Sequence, residues 1–495
     1  ARNWINEHLT YTHGYGAVMT PASQDGGTAM TWFMHGIPPR SDYGIFTEQP
    51  RIYYGLETYN YSIAPNGAGE LDYPKGSDNV MTDYVGRGGV PIASLFRKFL
   101  LAYYLKNKNV FFSTKITEQS KLLIRRNILE RIRYLVPYLQ FDQQPYVAVT
   151  PSGIYWIVNA FTTSANYPAA APMNIGGHAF NYVRDAVTIV VDAYHGSIDL
   201  YMYDRNDPIV DAYDRIYPGL LHDRKDLPDT LRQHVRYPKD LFDVQMQIYA
   251  KYHQEDTQVF YQQEDLWTFA EGVGKDNTVP LRPYYVTLDL IDSGQLDFLL
   301  LLPMFPKNRD NLRAVAIAGC DPDNYGKLIV YNFPKGELVH GPAQIDALIN
   351  QDPDISQQFT LWDQAGSKVE RGKMIILPMG NSVLFIQPVY LEATSRVKIP
   401  ELQGIIMSEG EVVVMETSVK GAYDELKRRI QLGFLPAPES VDPQPVAVEP
   451  QNTTGAASGD ATEAEKTDSA QEQRAPSALQ PDPEPVRPTP GTEAP

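Results

Sequence analysis

The spacing of apolar side chains changes character several times along the chain, and each change predicts an element. Residues 1–90 carry no sustained period and are rich in Gly, Pro, Asn and Tyr, so loops should dominate there, with short strands at 51–55 and 57–63. Ile92, Leu95, Phe96, Phe99, Leu100 and Tyr103 then recur at helical spacing, with Pro91 placed as in a first helical turn. A second helix is expected over 120–136, with Ile124, Ile128, Ile132 and Leu135 as its stripe and Pro137 as its stop. Alternation at 146–149 with 154–160, and at 187–193 with 198–203, reads as two hairpins turning at Ser152-Gly153 and His195-Gly196. Residues 209–253 read as helical pieces broken at Pro218, Pro228 and Pro238, with Leu241, Val244, Ile248 and Tyr252 on one face. Strands return at 298–302, 328–333, 373–377, 383–387 and 411–415, before a helix at 422–432 with Gly433 as its C-terminal cap. Strands and helices in blocks predict an α+β fold with mostly antiparallel sheets.

The pattern ends after Leu435. Residues 436–495 contain no aromatic side chain and carry eleven acids against Lys466, Arg474 and Arg487. Such a segment buries too little apolar surface to offset its ordering entropy, so a disordered acidic tail is expected, with a spacer or partner-binding role as the alternative. The expected organisation is therefore a body at 1–435, divisible near 255–283, and a tail at 436–495.

Composition narrows the function classes. Hydrophobic residues make up 43% and aromatics 11%, with 32 tyrosines, enough for a sizeable core; the tyrosines suit β-sheet packing or a sugar- or peptide-binding surface. Sixty acids against 43 bases give a net charge of −17, which excludes a nucleic-acid partner, since phosphate binding needs a concentrated positive field. Cys320 is the only cysteine, so no intramolecular disulfide forms, and a buried, inert thiol is expected. The longest apolar run, 298–305, contains Pro303 and falls short of the ~18 residues of a spanning helix. The chain opens without methionine or an export signal and reads as a fragment, with export encoded upstream.

No Walker loop, His-Glu-x-x-His pair or Gly-x-Ser-x-Gly elbow is present, which removes the best-marked nucleotide, zinc-protease and hydrolase readings. Gly86-Arg87-Gly88-Gly89 offers backbone amides to an anion but does not complete a dinucleotide pattern. Asp192, Asp199, Asp204 and Asp207, followed by Asp211 and Asp214, are the densest carboxylates; convergence at one end of the second hairpin would bind a hard cation such as calcium, and ordinary turns are the alternative. Asp321-Pro322-Asp323-Asn324-Tyr325-Gly326 starts like a calcium loop and lacks its later ligands, so it reads as a turn. His234 and His253 are candidate acid or base groups near neutral pH, with a structural hydrogen bond as the alternative. Arg125, Arg126, Arg131 and Arg133, with Lys121, make a basic face on the second helix, either solvated or meeting anionic headgroups.

Several stretches together carry a resemblance: Trp4-Ile5-Asn6-Glu7-His8-Leu9-Thr10-Tyr11-Thr12-His13-Gly14-Tyr15-Gly16, Pro50-Arg51-Ile52-Tyr53-Tyr54-Gly55, Asp192-Ala193-Tyr194, His234-Val235-Arg236-Tyr237-Pro238, Gly341-Pro342-Ala343-Gln344-Ile345 and Pro388-Val389-Tyr390-Leu391. In this order they resemble uncharacterised protein family 0182, a family of bacterial multi-pass membrane proteins, from Trp4 to about Leu402. The resemblance implies a large domain outside the cytoplasm after about seven spans, at the cell membrane, and a binding or assembly role with envelope proteins or lipids as partners. The alternative is an envelope hydrolase or transferase using His and carboxylate groups, metal-assisted or not. Asn159 stands where the family usually has Asp, and His195 where it has an acid, which weakens a carboxylate metal site. The resemblance brings no catalytic residues with it.

Overall fold

In the computed structural model, which describes residues 3–22, 30–58, 61–175, 177–269, 281–291, 294–334, 336, 338–364, 366–379, 382–394, 400–434 and the backbone of 446–447, short strands hold the loop-rich opening. Strand β1 (Gly14–Tyr15) pairs antiparallel with β2 (Arg51–Ile52). The next strand, β3 (Tyr61–Ala64), is buried throughout, and β4 (Glu70–Lys75) forms a hairpin with β5 (Asp78–Thr82). Pro91 lies in strand β6 (Val90–Pro91), not in a helical turn: helix α1 (Leu95–Tyr104) starts after Ser94, whose side chain accepts the Arg97 N–H. A short helix α2 (Asn109–Phe112) follows.

The helix expected over 120–136 divides in two. Lys121–Ile124 is strand β7, central between β3 and β6, with Leu122 and Leu123 both fully buried. Arg125 then turns the chain at φ +49°, and Asn127 caps helix α3 (Ile128–Leu135) by accepting the Glu130 N–H. Two adjacent leucines buried on opposite sides suit a strand covered on both faces, which helical counting misses.

The expected hairpins share one sheet. Its strands are β8 (Gln140–Phe141), β9 (Tyr146–Thr150) and β10 (Gly153–Ser164), then, beyond a small β11 (Met173–Ile175)/β12 (His178–Phe180) hairpin, β13 (Tyr182–Asp192) and β14 (Ile198–Met202). Helix α4 (Pro208–Ile216) leads to β15 (Leu221–Asp223), the one parallel neighbour, in the order β15-β14-β13-β10-β8 with β9 on β10. Val158, Ala160, Ile189 and Val191 pack on Ile128 and Ile132 of α3 and Val210 of α4. The prolines break the next region as expected, giving α5 (Asp229–Arg232) and α6 (Lys239–Tyr252), then α7 (Thr257–Gln262). On α6, however, Phe242 and Met246 are buried with Leu241 and Val244, while Ile248 and Tyr252 face solvent.

A second sheet combines β16 (Trp267–Phe269), β17 (Tyr284–Leu288), β18 (Asp297–Pro306), β19 (Ala314–Gly319) and β20 (Leu328–Asn332). Helices α8 (Pro342–Gln351) and α9 (Pro353–Trp362) lead to a third sheet of β21 (Ser367–Arg371), β22 (Ile375–Met379), β23 (Ser382–Ala393), β24 (Glu401–Glu409) and β25 (Val412–Glu416). Ser418 caps α10 (Val419–Arg429), and Gly433 takes the left-handed conformation beyond it. The backbone of β26 (Val446–Ala447) pairs with β20. Apart from those two residues, the expected tail lies outside the described residues, as do 270–280 of the stretch where a division was expected. The described residues within 1–448 form one compact unit, and the fold is α+β with mostly antiparallel sheets.

Strand β18 shows how the layers stack. Leu300, Leu302 and Met304 join Phe242 and Met246 of α6, whereas Leu301 and Phe305 join Ile376, Phe385 and Ile406 of the third sheet. The other face of that sheet, through Leu384, Ile405, Met407 and Val414, receives Ala422 and Leu426 of α10. The second sheet is thus covered on both faces, which accounts for the unbroken apolar run of β18. Leu300→Ala and Leu301→Ala should therefore each cost about 2–5 kcal/mol in urea unfolding; a near-neutral result at either position would show that its face is uncovered.

Candidate functional site

Strand β4 buries both Glu70 and Asp72, with its register against β5 shifting by one residue at Asp72, and the two carboxylates meet the segment leading into β1. Thr12 Oγ1 donates to Glu70 Oε2 at 2.6 Å, Tyr53 Oη donates to the same oxygen at 2.7 Å, and the Tyr84 N–H donates to Oε1 at 2.8 Å. His13 lies between the two carboxylates. Its Nε2 is 3.2 Å from Asp72 Oδ1, and its Nδ1 is 2.9 Å from Thr12 Oγ1. Arg51 closes the far side with two 2.7 Å bonds to the oxygens of Asp72, the planar fork that suits a carboxylate. The side chains of His13 and Glu70 are 0% exposed and that of Asp72 is 2%.

Burial lowers the His13 pKa, against the pull of Asp72, and raises that of Glu70, against its three donors. The chain His13–Thr12–Glu70 can be satisfied with one titratable proton, held as imidazolium with carboxylate or as neutral imidazole with carboxylic acid, because the Thr12 hydroxyl donates in one direction at a time. Burial thus opposes the charged form of each group, while the surrounding hydrogen bonds of Asp72, Thr12, Tyr53 and Tyr84 support it.

Arg126 sits beneath this network, 2% exposed. Its Nε donates to the Tyr53 carbonyl at 2.7 Å, and its other nitrogens donate to Ser62 Oγ and the Thr12 carbonyl. Burial lowers the guanidinium to about 10, so it stays charged at neutral pH. Tyr53, Tyr84 and Tyr194 pack above with ring centroids 4.5–5.5 Å apart, and the Tyr53 and Tyr54 amides both donate to the Ala193 carbonyl. Residues 11–16, 50–55 and 192–194, far apart in sequence, therefore meet here.

The structure disperses the basic group proposed for headgroups. Arg126 is buried and belongs to no helical face, because the helix expected there is a strand and a turn. Arg125 stacks on Tyr134 at 3.9 Å, Arg131 donates to the Gly196 carbonyl at 2.9 Å and covers Tyr54, and only Arg133 is largely exposed.

The four aspartates do not converge either. Asp192 accepts the Tyr194 and His195 amides in its turn, Asp199 stands mid-strand opposite Val190, and Asp204 pairs with Arg184. Asp207 is fully buried as the cap of α4, accepting from Ile209, Val210 and Thr162. The carboxylates of Asp192, Asp204 and Asp207 are each neutralised or bonded by their own partners, and among the described residues no three His, Cys, Asp or Glu side chains gather as a metal ion would need. Asp321 likewise serves a turn, accepting the Phe298 amide at 2.6 Å.

Two amides of the glycine loop are engaged internally, Arg87 donating to His195 Nδ1 and Gly88 to Tyr84 Oη. A Cβ on Gly88 would lie 2.3 Å from the His195 carbonyl, so that glycine serves close approach. His234 is exposed, whereas His253 stacks on Trp267 at 3.7 Å and its Nδ1 lies 3.1 Å from the Tyr249 carbonyl. Burial lowers the pKa of His253. Beside His234 the organising residue is Arg236, its guanidinium held between Tyr146 and Tyr285 at 3.9 and 4.5 Å, with its carbonyl accepting from Asn159. His13, Glu70, Asp72 and Arg51 were not singled out from sequence as chemical groups; the available signal was the Glu-x-Asp alternation at 70–72, inside a segment too short and polar to mark a strand.

A family model described as "Uncharacterised protein family (UPF0182)" matches residues 1–362. A "UPF0182 protein" of Syntrophobacter fumaroxidans is 59% identical over 87% of this chain and 49% of its own length. Others from Nitrosococcus oceani and Cupriavidus necator are 53% and 43% identical, over 87% and 88% of this chain and 51% and 48% of their own lengths. The chain thus spans about half the length of these curated relatives. No solved structure matches it.

Two outcomes follow from the network. Arg126→Met should cost about 3–5 kcal/mol in urea unfolding, since three acceptors lose their donor inside the protein; a loss below about 1 kcal/mol would deny Arg126 its central place. Burial holds the His13 pKa below its usual 6.5, so its contribution to stability is full above that value and lost as pH falls through it, while the raised Glu70 contributes fully below 4.5 and loses its contribution as pH rises. The drop in thermal midpoint from about pH 7 to pH 5 should accordingly be smaller in His13→Gln than in the parent, and equal drops would count against the His13 assignment.

Proposed function

This chain belongs to the uncharacterised protein family UPF0182, and we propose that it is the extracytoplasmic domain of a longer integral membrane protein, with a binding or assembly role at the cell envelope. The observation that carries the non-catalytic part of this reading is the closure of the polar network. The one assembly of hydroxyl, imidazole and carboxylates described above has side chains 0–2% exposed, and its hydrogen bonds are spent on joining residues 11–16 to the body. A substrate would have to dismantle that joint to reach it. The membrane part of the reading rests on the family resemblance, in which about seven spans precede such a domain, and on the relatives being about twice as long as the match. Among the described residues no helix is long and apolar enough to cross a membrane.

The lone thiol makes placement testable. Cys320 is 1% exposed and burial pushes its pKa up to about 12, so it stays silent towards thiol reagents. Ser77→Cys, on the exposed β4–β5 turn, introduces one reactive site in this domain of the full-length protein, and labelling is read against the full-length parent without the substitution. A membrane-impermeant maleimide should label it in intact cells, with any outer membrane permeabilised; labelling only after lysis would place the domain on the cytoplasmic side.

A further inference from the structure

The stripe that predicted α1 faces outward. Leu95, Phe96, Phe99, Leu100, Tyr103 and Phe112 are 46–79% exposed, while the body side of α1 uses Leu101, Ala102 and Leu105 against a cluster containing Ile63, Ile92, Val110 and Leu122. The arrangement is rigidly supported. Asn107 donates to Tyr61 Oη at 2.9 Å, Lys98 Nζ donates to the Ile116 carbonyl at 3.2 Å, and Phe111 meets Phe99 edge to face. Phe99, Leu100, Tyr103 and Phe112, with Lys106 and Lys108, line an open groove of about 1030 Å³, and Leu95 and Phe96 extend the apolar surface beyond it along α1. A contiguous apolar face of this kind marks an interaction surface.

Charge indicates what covers it. The chain as a whole is at −17, yet between Asp83 and Glu118 there is no acidic residue, and Arg87, Arg97, Lys98, Lys106, Lys108 and Lys115 lie within that interval. Arg97, Lys106, Lys108 and Lys115 are exposed beside the aromatic and leucine side chains. Phenylalanine, tyrosine and leucine flanked by lysine and arginine match the two zones of a bilayer interface, acyl boundary and anionic headgroup. The ten residues of α1 make about 15 Å of helix, half of a hydrocarbon core, so it is suited to lie in the interface and not to cross.

We propose that α1 and α2 form a membrane-docking element that seats its aromatic face in an anionic lipid surface. This goes beyond the envelope placement and does not depend on which side of the membrane the domain occupies. The test uses the whole chain and vesicles of phosphatidylcholine with or without phosphatidylglycerol. The parent should cosediment with the anionic vesicles, and Phe96→Ser/Phe99→Ser should weaken partitioning more than tenfold. Lys106→Gln/Lys108→Gln should weaken it about fivefold per charge on anionic vesicles and leave neutral vesicles unaffected. In Phe99→Trp, acyl-brominated lipid should quench the added fluorescence relative to the parent. All replaced side chains are exposed, so unchanged thermal midpoints serve as the folding control. Absent binding, equal binding by parent and variants, or concentration-dependent self-association abolished by the phenylalanine changes would overturn the proposal, the last in favour of a second copy of the chain.

Discussion

Arg126 sets the constraint on which the N-terminal half depends. A guanidinium removed from water must spend its donors on the protein, and this one spends them on three separated segments at Thr12, Tyr53 and Ser62. Satisfying that one ion fixes the approach to β1, the exit from β2 and the middle of β3 relative to each other. Their convergence then brings Glu70 and Asp72 within reach of Thr12, His13 and Arg51. The network gains local order more than stability, since burying ions is costly even when they are well paired. Precise placement of a joint is the property that such an arrangement supplies.

The parts of the fold legible in sequence were those governed by periodicity over one neighbourhood. The alternation of β10, β13 and β14 and the proline punctuation around α4, α5 and α6 survive in the structure because each obeys a local rule. Residues 121–135 were misread because Ile124, Ile128 and Ile132 keep helical spacing across a strand, a left-handed Arg125 and a cap, and only the strands on either side of β7 decide among these. The candidate site was less legible for a related reason. His13 and Asp72 are 59 residues apart, and no local pattern announces that they touch. The aspartates of 192–207 were conspicuous by density, yet Asp192 and Asp207 serve a turn and a cap, Asp204 pairs with Arg184 and Asp199 stands mid-strand.

The two halves of the described body solve burial differently. Around β10 and β13 the polar joints and tyrosines share the work with aliphatic packing, and Arg236 and Arg224 each lie between two tyrosine rings. From β16 onward, aliphatic layers dominate, with α6, two sheets and α10 in succession. Helix α1 stands apart from both regimes, because its body side is half-buried while its largest side chains face away from the protein.

The two-sided burial of β18 also bears on the order in which the chain matures. One face of that strand is satisfied by α6, made earlier, but Leu301 and Phe305 wait first for Ile345 and Ile349 of α8 and then for Ile376, Phe385 and Ile406, which emerge at least 70 residues later than Pro306. During synthesis the second sheet therefore passes through a stage with a bare apolar face, and closing it depends on contacts of high sequence separation. A chain halted before α8 carries a half-dressed sheet, and α8, α9 and the third sheet close that face in the order in which they are made.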